Sequence, residues 1–225
     1  MLSKRLLCCS EMVGGPVACD IGTDHAWLPI YLLENGICER AYACDIAEGP
    51  LSFAKKNIAA CGLEGKIETV LSDGLAMLSD ESISDIIIAG MGGEMIRDIL
   101  ASGGEKAKAA NLVLQPNTRA WELIDWLSEN GFEILTQKAV ADGKFVYPVI
   151  NAKFSGEAKK LTQAECLAIG LDLREEISKK YLSGQIKRLR DAASGMRKGS
   201  SPNQVELEEL ETTASELEQL LGRQS

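Results

Sequence analysis

The sequence of 225 residues lacks the histidines and the cysteine spacings that build metal centres. Histidine occurs once, as His25, and the seven cysteines contain no Cys-x-x-Cys pair. A zinc site needs four soft ligands at suitable spacings, and these residues do not supply them. We therefore expect no metal. We interpret the cysteines as small, buried hydrophobic side chains in a protein from a reducing compartment.

Long hydrophobic stretches are also absent. The most apolar segment, Ile86-Ile87-Ile88-Ala89, is far too short to cross a bilayer. The first residues, Met1-Leu2-Ser3-Lys4-Arg5, introduce charge early and lack the apolar region of a signal peptide. We expect a cytoplasmic protein without a membrane partner. The length suits one α/β domain with a smaller appendage, as a monomer or weak dimer.

The sequence carries a net charge of −9, but its basic residues are unevenly distributed. Residues 157–200 contain ten basic and six acidic side chains, a local net charge of +4. An acidic protein can still bind nucleic acid through a local basic surface. The global charge therefore neither supports nor excludes such a partner.

Apolar, β-rich runs alternate with helical stretches between Pro16 and Ile150. The predicted strands cover residues 17–21, 41–45, 67–71, 86–89, 111–115, 132–137 and 145–152. The predicted helices cover residues 28–34, 51–61, 95–101 and 120–129. Repeated β-α units with almost continuously apolar strands indicate a mostly parallel sheet covered on both faces. Ligands of such sheets bind at the carboxyl ends of the strands, so functional residues should directly follow strands.

Helical periodicity replaces the strands in the last third of the chain. Residues 162–165, Thr-Gln-Ala-Glu, form a capping-box pattern, and apolar residues then fall at helical spacing over residues 167–189. A break at residues 199–202 separates them from a second apolar stripe. Two stripes joined by a turn predict an αα-hairpin or short antiparallel coiled coil. We divide the chain into a domain of residues 1–156 and a helical domain of residues 157–225.

The first candidate ligand loop, Asp20-Ile21-Gly22-Thr23-Asp24-His25, directly follows the first predicted strand. Gly22 permits a tight turn and the close approach of a ligand. Asp20 could bind an ammonium group, which favours a ligand with an amino-acid end over a pyrophosphate. The loop lacks the Gly-x-Gly-x-x-Gly spacing of dinucleotide-binding proteins. An ordinary turn capped by Asp24 is the alternative for this loop alone.

Acidic residues follow the next two predicted strands. Asp45 can accept hydrogen bonds from both hydroxyls of a ribose, and Ile46 and Pro50 lie beside it in the sequence. Asp73 can accept from the exocyclic amine of adenine, while Gly74 leaves room for a flat ring. Each acid could also cap a helix or turn, but together they favour a nucleoside ligand.

Glycines and amides follow the fourth and fifth predicted strands. Residues 90–93 contain three glycines, which open space beside the sheet, and Met91 can lie against a sulfonium or a ring. Gln115 and Asn117 offer paired donors and acceptors to a base edge. Strained turns are the alternative in both places. The residues expected to face the ligand after strand four are Ala89, Gly90, Met91 and Gly92.

Two further groups could bind a nucleic acid. Lys144 could meet a phosphate and Tyr147 could stack on a base, although both also suit a surface and a core position. Lys187, Arg188 and Arg190 form a basic cluster in the helical region that could hold an RNA backbone. A solvated face of a coiled coil is the alternative for that cluster.

Several of these segments together resemble one family. The sequence is similar to the bacterial tRNA (adenine-N1)-methyltransferases that modify the adenine at tRNA position 22. The matching segments occur in order within about residues 1–155. Thr23 and Trp27 replace the serine and tyrosine usual in the family pattern ADIGSDHAYLP. The matching segments are Ala18 to Pro29, Glu48-Gly49-Pro50, Ser72-Asp73-Gly74-Leu75, Ile88 to Gly93 and Leu114-Gln115-Pro116-Asn117.

The resemblance implies a class I, Rossmann-like methyltransferase domain with a C-terminal coiled coil, S-adenosylmethionine as cofactor and tRNA as partner. It implies that the residues meeting the methionine part are Asp20, Gly22, Thr23 and Gly90. Asp45 would meet the ribose, and Asp73 and Gly74 the adenine. Met91 and Gly92 would line the same pocket, with Asp24 and His25 next to it.

The implied reaction transfers a methyl group to adenine N1, whose free lone pair needs no base. Catalysis can therefore rest mainly on placement of the reactants. Asp24 is the first candidate to stabilise the cationic product base, with His25 and Asn117 as further candidates. The alternatives are a non-catalytic RNA-binding protein of the same fold and a methyltransferase for another substrate.

Overall fold

The computed structural model describes residues 2–79, 82–198 and 203–223. Strands and helices alternate through the first part of the chain. The strands are β1 (Val17–Ile21), β2 (Arg40–Asp45), β3 (Ile67–Leu71), β4 (Asp85–Gly92), β5 (Asn111–Thr118), β6 (Phe132–Asp142) and β7 (Phe145–Phe154). The helices are α1 (Lys4–Ser10), α2 (Trp27–Glu34), α3 (Glu48–Ala60), α4 (Gly93–Gly103), α5 (Glu105–Ala109), α6 (Ala120–Glu129), α7 (Gln163–Ala168), α8 (Glu176–Arg197) and α9 (Gln204–Gly222).

The strands form one seven-stranded sheet in the order β3-β2-β1-β4-β5-β7-β6. β1 to β5 are parallel, whereas β7 runs antiparallel to both β5 and β6. The strand order changes direction between β1 and β4, and this switch point is where ligands of such sheets bind. The predicted α/β architecture with a mostly parallel sheet is therefore confirmed.

The central strands are buried because helices cover both faces of the sheet. Every residue of β1 is buried, as expected for a strand in a sheet that helices cover on both faces. Alternate residues of β4 pack on opposite faces: Ile86 and Ile88 belong to one hydrophobic cluster and Ile87 to the other. All three are at most 1% exposed, and truncating such a residue to alanine costs about 2–5 kcal/mol. This core holds the carboxyl ends of the strands in place.

Helix α1 lies outside the predicted β-α pattern, yet it packs on the sheet. It begins after Ser3, whose hydroxyl accepts a hydrogen bond from the backbone of Leu6 at 3.4 Å. Its apolar face buries Cys8 and Cys9 against the same cluster as Ile87. The helix therefore brings Arg5, in its first turn, towards the edge of the sheet where β5 ends.

The helical region differs from the prediction in one place. Thr162 caps α7 in a complete capping box, as expected. The predicted continuous stripe over residues 167–189 is wrong, because α7 ends at Ala168 and α8 begins only at Glu176. Gly170 between them has φ +73°, and its carbonyl oxygen accepts from the backbone N–H of Gln137 at 3.0 Å. A Cβ on this glycine would lie 2.7 Å from that nitrogen, so the helix is interrupted to dock on β6.

Helices α8 and α9 pack as the predicted hairpin. Leu182, Ala214 and Leu217 are fully buried between them and α7. Ion pairs of Arg190 with Glu218 and of Arg197 with Glu211 run across the pair in antiparallel order. The predicted break at residues 199–202 lies outside the described residues. The division at residue 156 stays a prediction, since the helical cluster also packs on β6.

The described part of the chain has neither a membrane-spanning helix nor a metal-ligand cluster. No helix in it is long and apolar enough to cross a bilayer. No group of three or more metal-ligating side chains occurs there. The cysteines are free, and all but Cys61 are buried. Burial raises the pKa of the Cys166 thiol to about 12, so this side chain is a neutral thiol near pH 7.

Candidate functional site

A cavity of about 330 Å³ opens at the switch point, over the carboxyl ends of β1 and β4. It brings together the loop after β1 and the carboxyl-end residues of β4 and β5, three of the segments that the sequence predicts, and adds the beginning of α1. Its lining residues are Ser3, Arg5, Leu6, Asp20, Gly22, Thr23, Asp24, His25, Trp27, Leu28, Ala89, Gly90 and Gln115.

Asp20 is the buried carboxyl group of this cavity. Its residue is only 7% exposed at the end of β1. Burial raises the pKa of Asp20 to about 6; the nearby Thr23 hydroxyl opposes this rise and the charge of Asp45 adds to it. A carboxylate that is costly to bury alone favours a cationic partner, such as the ammonium group predicted from the sequence.

The turn after β1 requires a glycine. Gly22 has φ +79°, and a Cβ there would lie 2.2 Å from the terminal methyl carbon of Met91. The backbone N–H groups of Gly22 and Thr23 both donate to the carbonyl oxygen of Cys44 at 2.8 Å. Thr23 is 2% exposed. The turn is thus tied to β2 and pressed against the loop after β4, which joins the two predicted ligand loops.

Asp24 and His25 lie at the rim of the cavity. The Asp24 carboxylate is 80% exposed and lies 3.4 Å from Nε2 of His25. The carbonyl oxygen of His25 accepts from the side-chain amide of Asn57 at 2.9 Å. Ala26 follows with φ +57° and a fully buried side chain, so packing holds this loop in an unfavourable backbone conformation. The pair can place negative charge beside a bound substrate.

Aromatic rings extend this rim, and sequence reasoning did not assign them to the site. The His25 ring lies 6.3 Å from the ring of Trp27 and 5.3 Å from that of Phe53. Both aromatic residues are about half exposed, at 51% and 53%. Exposed rings beside a cavity commonly mark a binding surface. The position of Trp27 within the loop motif was a usable signal, whereas Phe53 looks like an ordinary helix residue.

The predicted ribose and adenine residues lie beside the next strand ends. Asp45 ends β2, and its Oδ1 accepts from the backbone N–H of Ala47 at 2.8 Å. Ile46 is 69% exposed, and Pro50 lies in the first turn of α3, where its missing N–H is tolerated. Among the described residues, no backbone N–H donates to the other Asp45 oxygen. The strand end therefore offers an acceptor next to an exposed apolar side chain.

The turn after β3 has a different geometry from the one expected. Asp73 is exposed, whereas Gly74 is buried with φ +57°. A Cβ on Gly74 would lie 3.0 Å from Cγ2 of Ile99, so the glycine makes room for that side chain. We expected Gly74 to leave room for a flat ring, but Ile99 occupies the space in the direction of its Cβ. Met77, 67% exposed, offers an apolar contact nearby.

A closed amide network fixes the irregular end of β4, around Gly90. Gly90 has φ +80°, and open space lies where its Cβ would be. Its N–H donates to Oε1 of Gln115 at 3.2 Å, and its carbonyl oxygen accepts from Nδ2 of Asn117 at 2.7 Å. Gln115 is 1% exposed, and its amide nitrogen donates to Pro116 and Asn117. The amides predicted to read a base edge thus hold the glycine loop.

Arg5 of α1 completes the network and is the main residue that sequence reasoning missed. Its Nη1 donates to Oε1 of Gln115 at 3.0 Å and to Oδ1 of Asn117 at 2.7 Å. Its Nε donates to Asp142 at 2.8 Å, and its guanidinium lies 4.7 Å from the ring centre of Tyr147. No local pattern marks Arg5, because its partners are more than a hundred residues away in sequence.

The predicted substrate residues divide into two groups. Tyr147 contacts Arg5 and therefore borders the network, whereas the Lys144 ammonium lies over the Phe145 ring at 5.2 Å. Lys187 and Arg188 are exposed on α8. Arg190 instead pairs with Glu218 at 2.8 Å within the hairpin. The predicted basic clamp thus separates into exposed cations and one cation engaged in the helix pair.

Comparison with known proteins identifies the family. The family model described as tRNA (adenine(22)-N(1))-methyltransferase, TrmK, matches residues 18–219. A tRNA (adenine(22)-N(1))-methyltransferase of Bacillus subtilis is 35% identical over 154 residues. That alignment covers 68% of this chain and 65% of the Bacillus protein, so it spans just under two thirds of the relative.

Solved structures match along almost the whole chain. TrmK of M. capricolum, in complex with S-adenosyl-homocysteine, has a TM-score of 0.81 at 27% identity, with 99% of this chain and 98% of that chain covered. A Streptococcus pneumoniae protein in complex with S-adenosyl-L-methionine has a TM-score of 0.82 at 32% identity, with 96% and 99% covered. Together with the strand order and the residues at the switch point, these matches show that the chain belongs to the TrmK family of tRNA (adenine(22)-N(1))-methyltransferases.

Proposed function

We propose that this protein transfers a methyl group from S-adenosylmethionine to N1 of adenine 22 in tRNA. The observation that carries the proposal is the switch-point cavity, where the buried Asp20 and the turn of Gly22 face the open loop of Gly90. Family membership supplies the substrate. A tRNA substrate also supports the predicted cytoplasmic location, since tRNA is made and used there.

The residues present fit this cofactor. Asp20 offers a buried carboxylate to the ammonium group of the methionine part, and Gly22 and Gly90 leave the backbone accessible. Asp45 offers an acceptor to the ribose hydroxyls. Ile46 and other exposed apolar side chains at the strand ends suit the adenine ring. When bound, S-adenosylmethionine supplies a methyl group from its sulfonium and leaves as a neutral thioether.

The chain's own residues contribute position and charge. Adenine N1 attacks with its free lone pair, so the site needs no residue to remove a proton first. The base becomes cationic as the bond forms, and the carboxylate of Asp24 can favour that charge. Asn117, held by Arg5 and Gly90, fixes the far wall of the site. Placement alone can supply about 7–11 kcal/mol of the barrier reduction.

The direct experiment uses labelled S-adenosylmethionine and unmodified bacterial tRNA. We expect label at N1 of adenine 22, located by nuclease digestion and mass spectrometry. A tRNA carrying guanine at position 22 is the matched control and should remain unlabelled. Cofactor binding without transfer to tRNA would contradict the proposal and favour a non-catalytic protein.

Replacing Asp45 with alanine should weaken S-adenosylmethionine binding about tenfold, because the ribose loses a charged hydrogen-bond acceptor worth about 1.5–3 kcal/mol. Calorimetric titration measures the change. The same substitution removes the contact to the Ala47 backbone, so a small loss of thermal stability is expected as well. Unchanged affinity in a folded variant would remove Asp45 from the ribose site.

Replacing Asp24 with asparagine should lower kcat about tenfold and change cofactor affinity less than threefold. The carboxylate is exposed, so its effect on a developing positive charge is modest, about 1–2 kcal/mol. Single-turnover methylation separates this step from product release. Asp24→Glu keeps the charge and should recover most of the rate; equal losses in both variants would contradict an electrostatic role.

A further inference from the structure

A second cavity, of about 440 Å³, lies between the sheet and the helical region. Four parts of the chain form it: the junction of β5 with α6, the beginning of β7, Leu167 of α7, and one face of α8. We call it the interdomain cavity. The lining residues that matter for its chemistry are Asn117, Trp121, Tyr147, Tyr181, Gln185 and Arg188.

Aromatic rings are concentrated in this cavity, although only 5% of the chain is aromatic. Trp121, Phe145 and Tyr147 line it, and Tyr181 forms part of its floor as a core residue that is only 2% exposed. Phe145 is 47% exposed, and its ring lies 6.1 Å from that of Tyr147. Rings presented in a cavity offer stacking surfaces to a nucleobase, whatever its identity.

The charges of the interdomain cavity also suit a nucleotide. Arg188 lines it from α8 and is exposed, and Arg119 lines it from the start of α6. Arg119 pairs with Glu94, so Arg188 is the cation better placed for a phosphate. Glu122 also lines the cavity, and its buried Oε2 has no hydrogen-bond partner among the described residues. A carboxylate in the lining of the cavity is the kind of acceptor that an exocyclic amine needs.

A shared wall joins the interdomain cavity to the switch-point cavity. Asn117 and Tyr147 line the interdomain cavity, and Arg5, which contacts both, lines the switch-point cavity. The two cavities are therefore neighbours, separated by the side chains of Arg5, Asn117 and Tyr147. The volume of about 440 Å³ falls in the range of about 300–1,000 Å³ typical of small-ligand sites.

We propose that the interdomain cavity binds the base of a nucleotide adjacent to the target adenine, with the neighbouring phosphate at Arg188. The inference rests on the proposed function, since it takes the polynucleotide to be tRNA. It assigns a role in RNA binding to the junction of the two regions. It also gives Trp121 and Gln185 a place in the site.

The test fills the cavity without changing its charge. Gln185 is half-buried on α8, and Gln185→Trp places a ring where the base would bind. We expect the Kd for unmodified tRNA to rise about tenfold, while the Kd for S-adenosylmethionine stays unchanged. Arg188→Gln should raise the tRNA Kd about fivefold. Lys66→Gln is its matched control, because it removes an equal charge from an exposed position just before β3, outside the cavity, and should change the Kd less than twofold.

RNA substrates lacking one base identify the occupant. Two tRNAs are prepared with an abasic site on the 5′ or the 3′ side of the target adenine. The Gln185→Trp penalty should disappear for one of them, because that RNA no longer has a base to place in the cavity. Two results would overturn the proposal. Either Gln185→Trp raises the Kd for both abasic RNAs as much as for intact tRNA, or it binds intact tRNA as tightly as the wild-type protein does.

The two proposals fail in different ways. If the wild-type protein binds tRNA but transfers no methyl group, the proposed function fails. The comparison of tRNA affinities still tests whether the interdomain cavity binds a base. If the wild-type protein methylates tRNA and Arg188→Gln matches Lys66→Gln, the function stands and the phosphate contact at Arg188 is wrong. Absence of any tRNA binding overturns both.

Discussion

Replacing Asp20 with asparagine should lower the affinity for S-adenosylmethionine about a hundredfold and yet stabilise the ligand-free protein at pH 7. The affinity falls because a buried ammonium group loses its counter-charge, a hydrogen bond worth about 1.5–3 kcal/mol. The stability rises because an isolated carboxylate no longer has to ionise in a buried place. The variant thus separates two effects of the Asp20 carboxylate: it lowers the stability of the ligand-free protein and raises the affinity for the cofactor.

The pH dependence follows from the raised pKa of Asp20, about 6 instead of 3.8. As pH rises above about 4, the unfolded chain ionises this group first, so folding stability falls until about pH 6 and stays lower by about 3 kcal/mol. Cofactor binding has the opposite trend, because only the ionised group pairs with an ammonium. Affinity should therefore decline as pH falls below about 6, and Asp20→Asn should flatten that profile.

A second buried aspartate provides the matched control. Asp85 lies at the other end of the neighbouring strand β4 and is 1% exposed. Its carboxylate accepts from the backbone N–H groups of Gly14 and Gly15 and from Asn111. Asp85→Asn should lower thermal stability and leave cofactor affinity unchanged. Calorimetry and thermal unfolding from pH 5 to 8 measure both variants; equal cofactor affinity in Asp20→Asn and wild type would refute the ammonium contact.

Replacing Arg5 with alanine should lower kcat about thirtyfold to a hundredfold while changing the Kd for S-adenosylmethionine less than threefold. The substitution removes the two hydrogen bonds that hold Gln115 and Asn117 and leaves Asp142 without its cation. The side chain of Asn117 can then reorient, so the far wall of the site loses its fixed shape. A displacement of about 1 Å in a positioned reactant can cost about a hundredfold in rate.

Two variants distinguish positioning from general destabilisation. Arg5→Lys keeps the charge and one donor but cannot reach several acceptors at once, so it should recover only part of kcat. Lys4→Ala changes the adjacent, exposed position of α1 and should retain wild-type kcat. Rapid-quench methylation and cofactor titration give the two constants. A loss confined to cofactor affinity would show that Arg5 acts on binding instead.

Local pattern was enough to place the sheet and most of its helices. The limits of β1 and β3 and those of α6 agree with the predicted ones, because their apolar runs and flanking turn residues are unambiguous. β4 and β5 extend further than predicted, since their last residues are glycine and polar side chains that pair across a register shift. The interruption between α7 and α8 was missed because Gly170 contacts a distant strand.

The sequence by itself determined which strand ends meet at one edge of the sheet. Asp20, Asp45 and Gly90 lie among the last residues of β1, β2 and β4, and parallel strands bring their carboxyl ends to one edge regardless of details. The chemical types of these residues, acid or glycine, then indicate the ligand. This part of the site depends on strand order and local residue type, both of which a linear pattern carries.

Only the tertiary structure decided which side chains are free to act. Gln115 looked like a base-reading amide, but the fold engages it with Arg5 and Gly90. Gly74 looked like an opening for a ring, but Ile99 occupies the space beside it. Arg190 looked like part of an RNA clamp, but Glu218 pairs with it. In each place, the deciding partner is distant in sequence, so no local pattern could reveal whether the side chain was already satisfied.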